Sequence, residues 1–252
     1  MPARDGVVAE ASAAAVSKYH EVSSLDGLGI RNFSICLGPT RDAGGRMQLG
    51  GEIPALSPFT PVRTVAPDSW RVALSGFSMA APSKTNAEMK AAAAADGPCS
   101  ESAPCEALLD SGDSFIELPA KLFGTLQGDL ENACRTPGCL QRAMEKESCD
   151  EVDLTTLPSL HLDLGGMQVA IPPHAYMIDH ALKEPMTIRP AGNGTRCLPN
   201  IIESPRENLA ILGMPFLRLY AARFESAGGV AVAAIPAGSK ACVGASACSA
   251  SG

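Results

Sequence analysis

Cys105-Glu106-Ala107-Leu108-Leu109-Asp110-Ser111-Gly112-Asp113-Ser114-Phe115 is the stretch on which the fold turns. An apolar run leads straight into an acid, a hydroxyl residue and a glycine. The run predicts a strand that lifts Asp110 out of a buried sheet edge. Gly112 lacks the Cβ that would bar a sharp backbone turn beneath the carboxylate. By itself Asp-Ser-Gly is also an ordinary turn sequence, so the surroundings have to decide.

About a hundred residues on, the chain reads Leu209-Ala210-Ile211-Leu212-Gly213-Met214-Pro215-Phe216-Leu217-Arg218. This predicts an apolar strand ending at Gly213, a short helix over 214–220 and a strand over 221–225. Alternation of period two predicts further strands at 33–37, 46–49, 70–75 and 230–235. Leu160, Leu162 and Leu164 alternate, Gly165-Gly166 follows, and Val169 and Ile171 alternate again, which is a hairpin pattern. Helical pattern is scarce. Pro119 opens a segment that places Leu122, Phe123, Leu126 and Leu130 on one face. Residues 84–95 read as an inserted surface helix or loop.

Blocks in this order and spacing resemble the pepsin-type aspartic peptidases, and they run from about Arg31 to Cys242. In that family a D-[ST]-G strand and an apolar-apolar-Gly strand cross in a ψ-shaped loop that holds a catalytic Asp. Asn32-Phe33-Ser34-Ile35-Cys36-Leu37-Gly38 and Gly45-Arg46-Met47-Gln48-Leu49-Gly50-Gly51 look like the strand pair that opens the C-terminal lobe. The Cys within Phe-Ser-Ile-Cys-Leu resembles the plant, nepenthesin-like branch. Phe59-Thr60-Pro61-Val62, residues 70–79, Leu157-Pro158-Ser159-Leu160 and Ile171-Pro172-Pro173-His174-Ala175-Tyr176 also resemble family blocks.

The resemblance implies an all-β, mainly antiparallel lobe of the acid-protease fold with a few short helices. It divides the chain into an N-terminal helical or linker segment (1–28), a pepsin-like C-terminal lobe (29–242) and a tail (243–252). It implies Asp110 as a catalytic carboxylate and Ser111 as a brace between the two active-site loops. Gly112 and Gly213 would supply the tight backbone, with Asp113 and Ser114 as supporting residues. The implied activity is an aspartic endopeptidase acting on an extended peptide or protein substrate, with no cofactor and no metal.

Two departures bear on that activity. The family has two lobes with one catalytic Asp each, and this chain has a single D-[ST]-G. Asp42-Ala43-Gly44 and Asp163-Leu164-Gly165 lack the hydroxyl residue and the Ser/Thr that follows. Asp110 therefore needs an N-terminal lobe from the same gene, a separate chain or a homodimer mate, and the single lobe is expected to be inactive alone. Asp113 stands where the family carries Ser or Thr. Both departures leave open a second reading, a non-catalytic protease-like binding or inhibitor protein, of which plant-type relatives include examples.

Nine Cys suggest an oxidising compartment and disulfides. Cys99 and Cys105 fit a small staple at the base of the strand leading to Asp110, and Cys134 and Cys139 a clip at the end of the Pro119 helix. The resemblance implies Cys149–Cys197 around a long hairpin. In plant-type relatives the first and last strands lie side by side, which implies Cys36–Cys242. The alternative pairs Cys242 with Cys248 and buries Cys36 as a thiol. Asn193-Gly194-Thr195 is a glycosylation sequon in a polar loop, and Asn32-Phe33-Ser34 is a second, set against a strand. The expected location is extracellular or a vacuolar or lysosomal lumen, although residues 1–19 read as a short helix and not as a signal peptide.

With 252 residues and a net charge of −7, the chain is large enough for a sizeable core and has no basic run for nucleic acid. Its 46% hydrophobic and 19% charged residues exclude wholesale disorder, and no apolar run reaches the ~18 residues of a membrane span. His174 and His180 are six residues apart, which matches no metal-ligand spacing, and both are expected at the solvated surface.

Overall fold

A computed structural model describes residues 27–40, 43–67, 69–80, 99–181 and 195–243. The expected helix at the N-terminus, the 84–95 insertion, Asp42, Asn193 and Cys248 lie outside the described residues. Strands dominate, and they gather into two large sheets and a short two-stranded one.

The first sheet has the order β2 (Gly45–Leu49), β1 (Asn32–Leu37), β13 (Tyr220–Glu225), β14 (Val230–Ala234), β3 (Thr60–Val62), antiparallel throughout. Its alternating residues divide between two cores. Phe224, Val230 and Val232 face the main core, while Cys36, Ala221, Ala231 and Ala233 line a smaller one with Ile53, Phe59 and Cys242. A disulfide between Cys36 and Cys242 ties β1 to the last described turn.

The second sheet has the order β11 (Ile201–Glu203), β6 (Ile116–Leu118), β12 (Leu209–Leu212), β5 (Cys105–Leu109), β4 (Arg71–Ala80), β7 (Ser159–Leu164), β8 (Met167–Ile171). β4 is its long spine, pairing with β5 over one half and with β7 over the other, with a bulge between Leu74 and Gly76. β7 and β8 form the Gly165-Gly166 hairpin. Gly165 turns at φ +58°, and a Cβ there would lie 2.2 Å from the Arg63 nitrogen, so this glycine permits both the turn and a close chain crossing. Leu160, Leu162, Leu164, Val169 and Ile171 are all buried, the outcome of period two with one face inward.

Helix α1 (Ala120–Asn132) begins directly after Pro119 and buries Leu122, Leu126 and Leu130 against the second sheet. Cys134–Cys139 links its end to α2 (Cys139–Met144). The third, two-stranded sheet pairs β9 (Met177–Ala181) with β10 (Thr195–Pro199), and Cys149–Cys197 anchors it. A one-turn helix α3 (Pro173–Tyr176) precedes β9 and another, α4 (Met214–Leu217), follows β12. The segment 214–220 is helical only to Leu217, because Tyr220 already pairs with Ala234 in β13.

Two side chains fasten the sheets to each other. The Tyr220 hydroxyl accepts from Ala170 N–H (2.8 Å) and donates to Ala170 O (3.1 Å). Trp70 Nε1–H donates to Glu225 O (2.6 Å), and its ring packs edge-on to Phe33, 5.6 Å between centroids.

Candidate active site

β12 is buried at every position and lies between β5 and β6. It runs parallel to β5, with Leu212 beside Leu109, and antiparallel to β6, with Leu212 beside Ile116. The connection from β5 to β6 must therefore pass over the end of β12, and that connection is Asp110-Ser111-Gly112-Asp113-Ser114-Phe115. All four residues of β12 are buried, so both of its faces are covered, and Leu209-Ala210-Ile211-Leu212 is apolar without alternation.

Backbone hydrogen bonds lock the crossing. Asp110 N–H donates to Leu212 O (3.1 Å), Gly213 N–H to Phe115 O (3.1 Å) and Met214 N–H to Asp113 O (2.8 Å). A Cβ on Gly213 would lie 2.3 Å from Phe115 O and 2.4 Å from Asp113 O. Those are backbone oxygens that no rotamer change can move, so glycine is required here for proximity; its φ of −79° suits any residue.

Asp110 stands half-buried at the head of β5, and its Oδ1 accepts from Gly112 N–H (2.8 Å). This bond holds the carboxylate at the turn. Ser111, Gly112 and Ser114 are exposed. Asp113 does not turn back to Asp110. Its Oδ1 accepts from Phe115 N–H (2.7 Å), while its own N–H reaches Asp110 O (3.3 Å).

Two residues with no motif around them lie next to the loop, and one of them supports it. Asn200 is buried between β10 and β11; it donates N–H to Tyr176 O (2.6 Å), accepts from Ile116 N–H (3.0 Å) and donates Nδ2–H to Ser114 O. Glu117, on β6, has a buried Oε2 with no hydrogen-bond partner among the described residues. Burial, then the Asp113 charge and hydrogen bond, push its pKa above the ordinary glutamate range, against weaker opposing effects of Ser204 and Arg206. Local sequence carries no signal for either residue, since each is aimed by a strand pairing that joins distant segments.

His174 is exposed, but His180 is half-buried, and its ring stacks on Phe115 with centroids 6.3 Å apart. β9 pairing carries His180 inward, and this corrects the expectation of a solvated side chain. Asp163 caps the β7–β8 turn, accepting from Gly166 N–H (2.8 Å) and Gln168 Nε2–H (2.6 Å). Among the described residues no three His, Cys, Asp or Glu side chains gather to hold a metal ion, and no helix is long and apolar enough to cross a membrane. An apolar groove of about 620 Å³ between α1, α2, β10 and β11 includes Phe123, Leu130, Met144 and Ile201 in its wall, and none of its lining residues belongs to the Asp110 loop.

The geometry can present one carboxylate on a rigid, backbone-locked turn. No curated protein matches the chain. A family description of the eukaryotic aspartyl protease matches residues 9–234, across both large sheets and the Asp110 crossing, and the chain belongs to the eukaryotic aspartyl protease family.

Proposed function

We propose that residues 29–242 are the C-terminal lobe of an aspartic endopeptidase and that Asp110 is one of its two catalytic carboxylates. The observation that carries this reading is the placement of Asp110 at the ψ-shaped crossing of β5, β12 and β6, with Gly112 N–H on its Oδ1. Two acids that face each other cannot both ionise, and in the aspartic-protease dyad they share one proton, so that one takes a proton from water while the other donates to the scissile carbonyl. Asp110 supplies one role only. The other falls to a second lobe from the same gene, a separate chain or a homodimer mate, with an extended peptide between them.

An apolar stripe supports a partner. On the edge strand β2 of the first sheet, Leu49 lies beside Phe33 of β1 and Met47 beside Ile35. Met47 is 56% exposed and Leu49 48%, and Trp70, whose ring packs on Phe33, is 37% exposed, so this side of the sheet offers apolar side chains to a second lobe. The Cys36–Cys242 tie supports the nepenthesin-like branch, and four disulfides support an extracellular, vacuolar or lysosomal location. Glycosylation at Asn193 belongs to the same reading.

Acid-pH cleavage of a peptide library tests the proposal. The chain alone should be inactive; joined to an N-terminal lobe that bears D-[ST]-G-[ST], it should cleave in a pepstatin-sensitive way, and Asp110→Asn should abolish this. Cleavage that survives Asp110→Asn refutes the assignment. An assembly that binds pepstatin-like peptides without cleaving them favours the second reading, a non-catalytic binding or inhibitor protein, for which the Asp at position 113 is the supporting observation.

A further inference from the structure

Asn200 stands between the end of β10 and the start of β11 and is 3% exposed. Its main chain is anchored in the core. The Asn200 N–H donates to Tyr176 O (2.6 Å), and the buried Tyr176 is itself fixed by its hydroxyl, which donates to Pro158 O (2.7 Å). From that anchor Asn200 grips the returning leg of the Asp110 loop twice. Its O accepts from Ile116 N–H (3.0 Å), and its Nδ2–H donates to Ser114 O, 86 residues away in the chain. Between these two points, Phe115 O accepts from Gly213 N–H (3.1 Å).

The side-chain amide has one choice of face, because Oδ1 turned toward Ser114 O would set two acceptors against each other. Oδ1 is then buried with no hydrogen-bond partner among the described residues. A buried, unpaired acceptor is destabilising, so the core gains nothing from an amide at this position. What the amide adds is the donor to the loop. Ser114 is exposed; without that donor its carbonyl can turn to water, and the leg can move with it. The two main-chain bonds of Asn200 survive a change of side chain, so substitution isolates this one contact.

We propose that Asn200 is a positioning residue for Asp110: its side-chain donor fixes Ser114 O, and with it the turn in which Gly112 N–H meets the Asp110 carboxylate. Its part in peptide cleavage rests on the reading of Asp110 as a catalytic carboxylate; its grip on the loop does not.

Amide hydrogen exchange of the full chain, read by NMR, tests the grip without any cleavage assay. In the parent the Asn200 Nδ2 protons should exchange slowly. Asn200→Leu, or Asn200→Ala if leucine does not fold, should speed exchange at Gly112 and Phe115 about five-fold, the equivalent of one hydrogen bond. The Gly112 amide proton should move upfield as its bond to Asp110 Oδ1 loosens, while protection in the β7–β8 hairpin stays at the parent level. In a two-lobed assembly that cleaves, the same variant should lower kcat and leave KM unchanged, since the side chain faces Ser114 O and not the peptide. Fast exchange of the Asn200 Nδ2 protons in the parent overturns the proposal even if no variant folds. Equal loss of protection in the loop and in the hairpin also overturns it, because that is a general loss of stability, and so does an unaltered kcat. If no assembly cleaves, the catalytic reading falls and the exchange data still judge the grip.

Discussion

Gly213→Ala places one methyl group where two backbone oxygens already stand. The added Cβ would sit 2.3 Å from Phe115 O and 2.4 Å from Asp113 O, with Asp113 C at 2.9 Å. Relief requires the 113–115 backbone to retreat by about 1 Å to reach ordinary contact, a distortion that costs about 1–3 kcal/mol by analogy with overpacked cores. The same retreat stretches Gly213 N–H to Phe115 O and Met214 N–H to Asp113 O, each worth about 1 kcal/mol. The expected loss is about 3–5 kcal/mol, or roughly 6–20 °C in Tm for a chain of this size. Equilibrium denaturation of the full chain reads it, with Gly128→Ala as the control. A Cβ at Gly128, on α1, meets nothing within 4 Å, and alanine there should stabilise by about 0.5–1 kcal/mol. A Gly213→Ala loss under about 1 kcal/mol, the low end for such a distortion, would show that β12 does not cross the Asp110 loop as closely as described.

Tyr220→Phe removes both bonds to Ala170 and should lower stability by about 1–3 kcal/mol in the same denaturation experiment; an unchanged midpoint would deny that this hydroxyl joins the sheets. Cys149→Ser with Cys197→Ser opens a link between residues 48 apart, worth about 4 kcal/mol in the chain-entropy treatment, and urea midpoints of the oxidised parent and the double variant measure it. His161, on β7, is held below its ordinary pKa by burial, so the unfolded chain takes up its proton first on acidification. The stability tied to neutral His161 is present above the ordinary histidine value of 6.5 and lost as pH falls through the folded-state value. His161→Gln should flatten the decline in Tm in that window, and a parallel decline in both proteins would deny the contribution.

The elements were legible wherever the signal was local. Period two marked β7 and β8, Gly165-Gly166 marked their turn, and spacing of four put Leu122, Leu126 and Leu130 under α1. Asp110-Ser111-Gly112 and Ile211-Leu212-Gly213 stand at the two halves of one crossing, and at Gly213 the missing Cβ leaves room for the Phe115 and Asp113 oxygens. Pairing was decided in three dimensions. Nothing in Leu209-Ala210-Ile211-Leu212 states that it enters between β5 and β6, since a strand apolar at every position records burial on both faces and not the identity of its neighbours. The extent of α4 was also tertiary: Pro215 permits a first turn, and the ladder from Tyr220 to Ala234 stops the second. Asn200 and His180 acquire their places by the same rule. Each is brought to the Asp110 loop by a segment remote from it in the chain, and a polar side chain has no local sign of which distant backbone or ring it will meet.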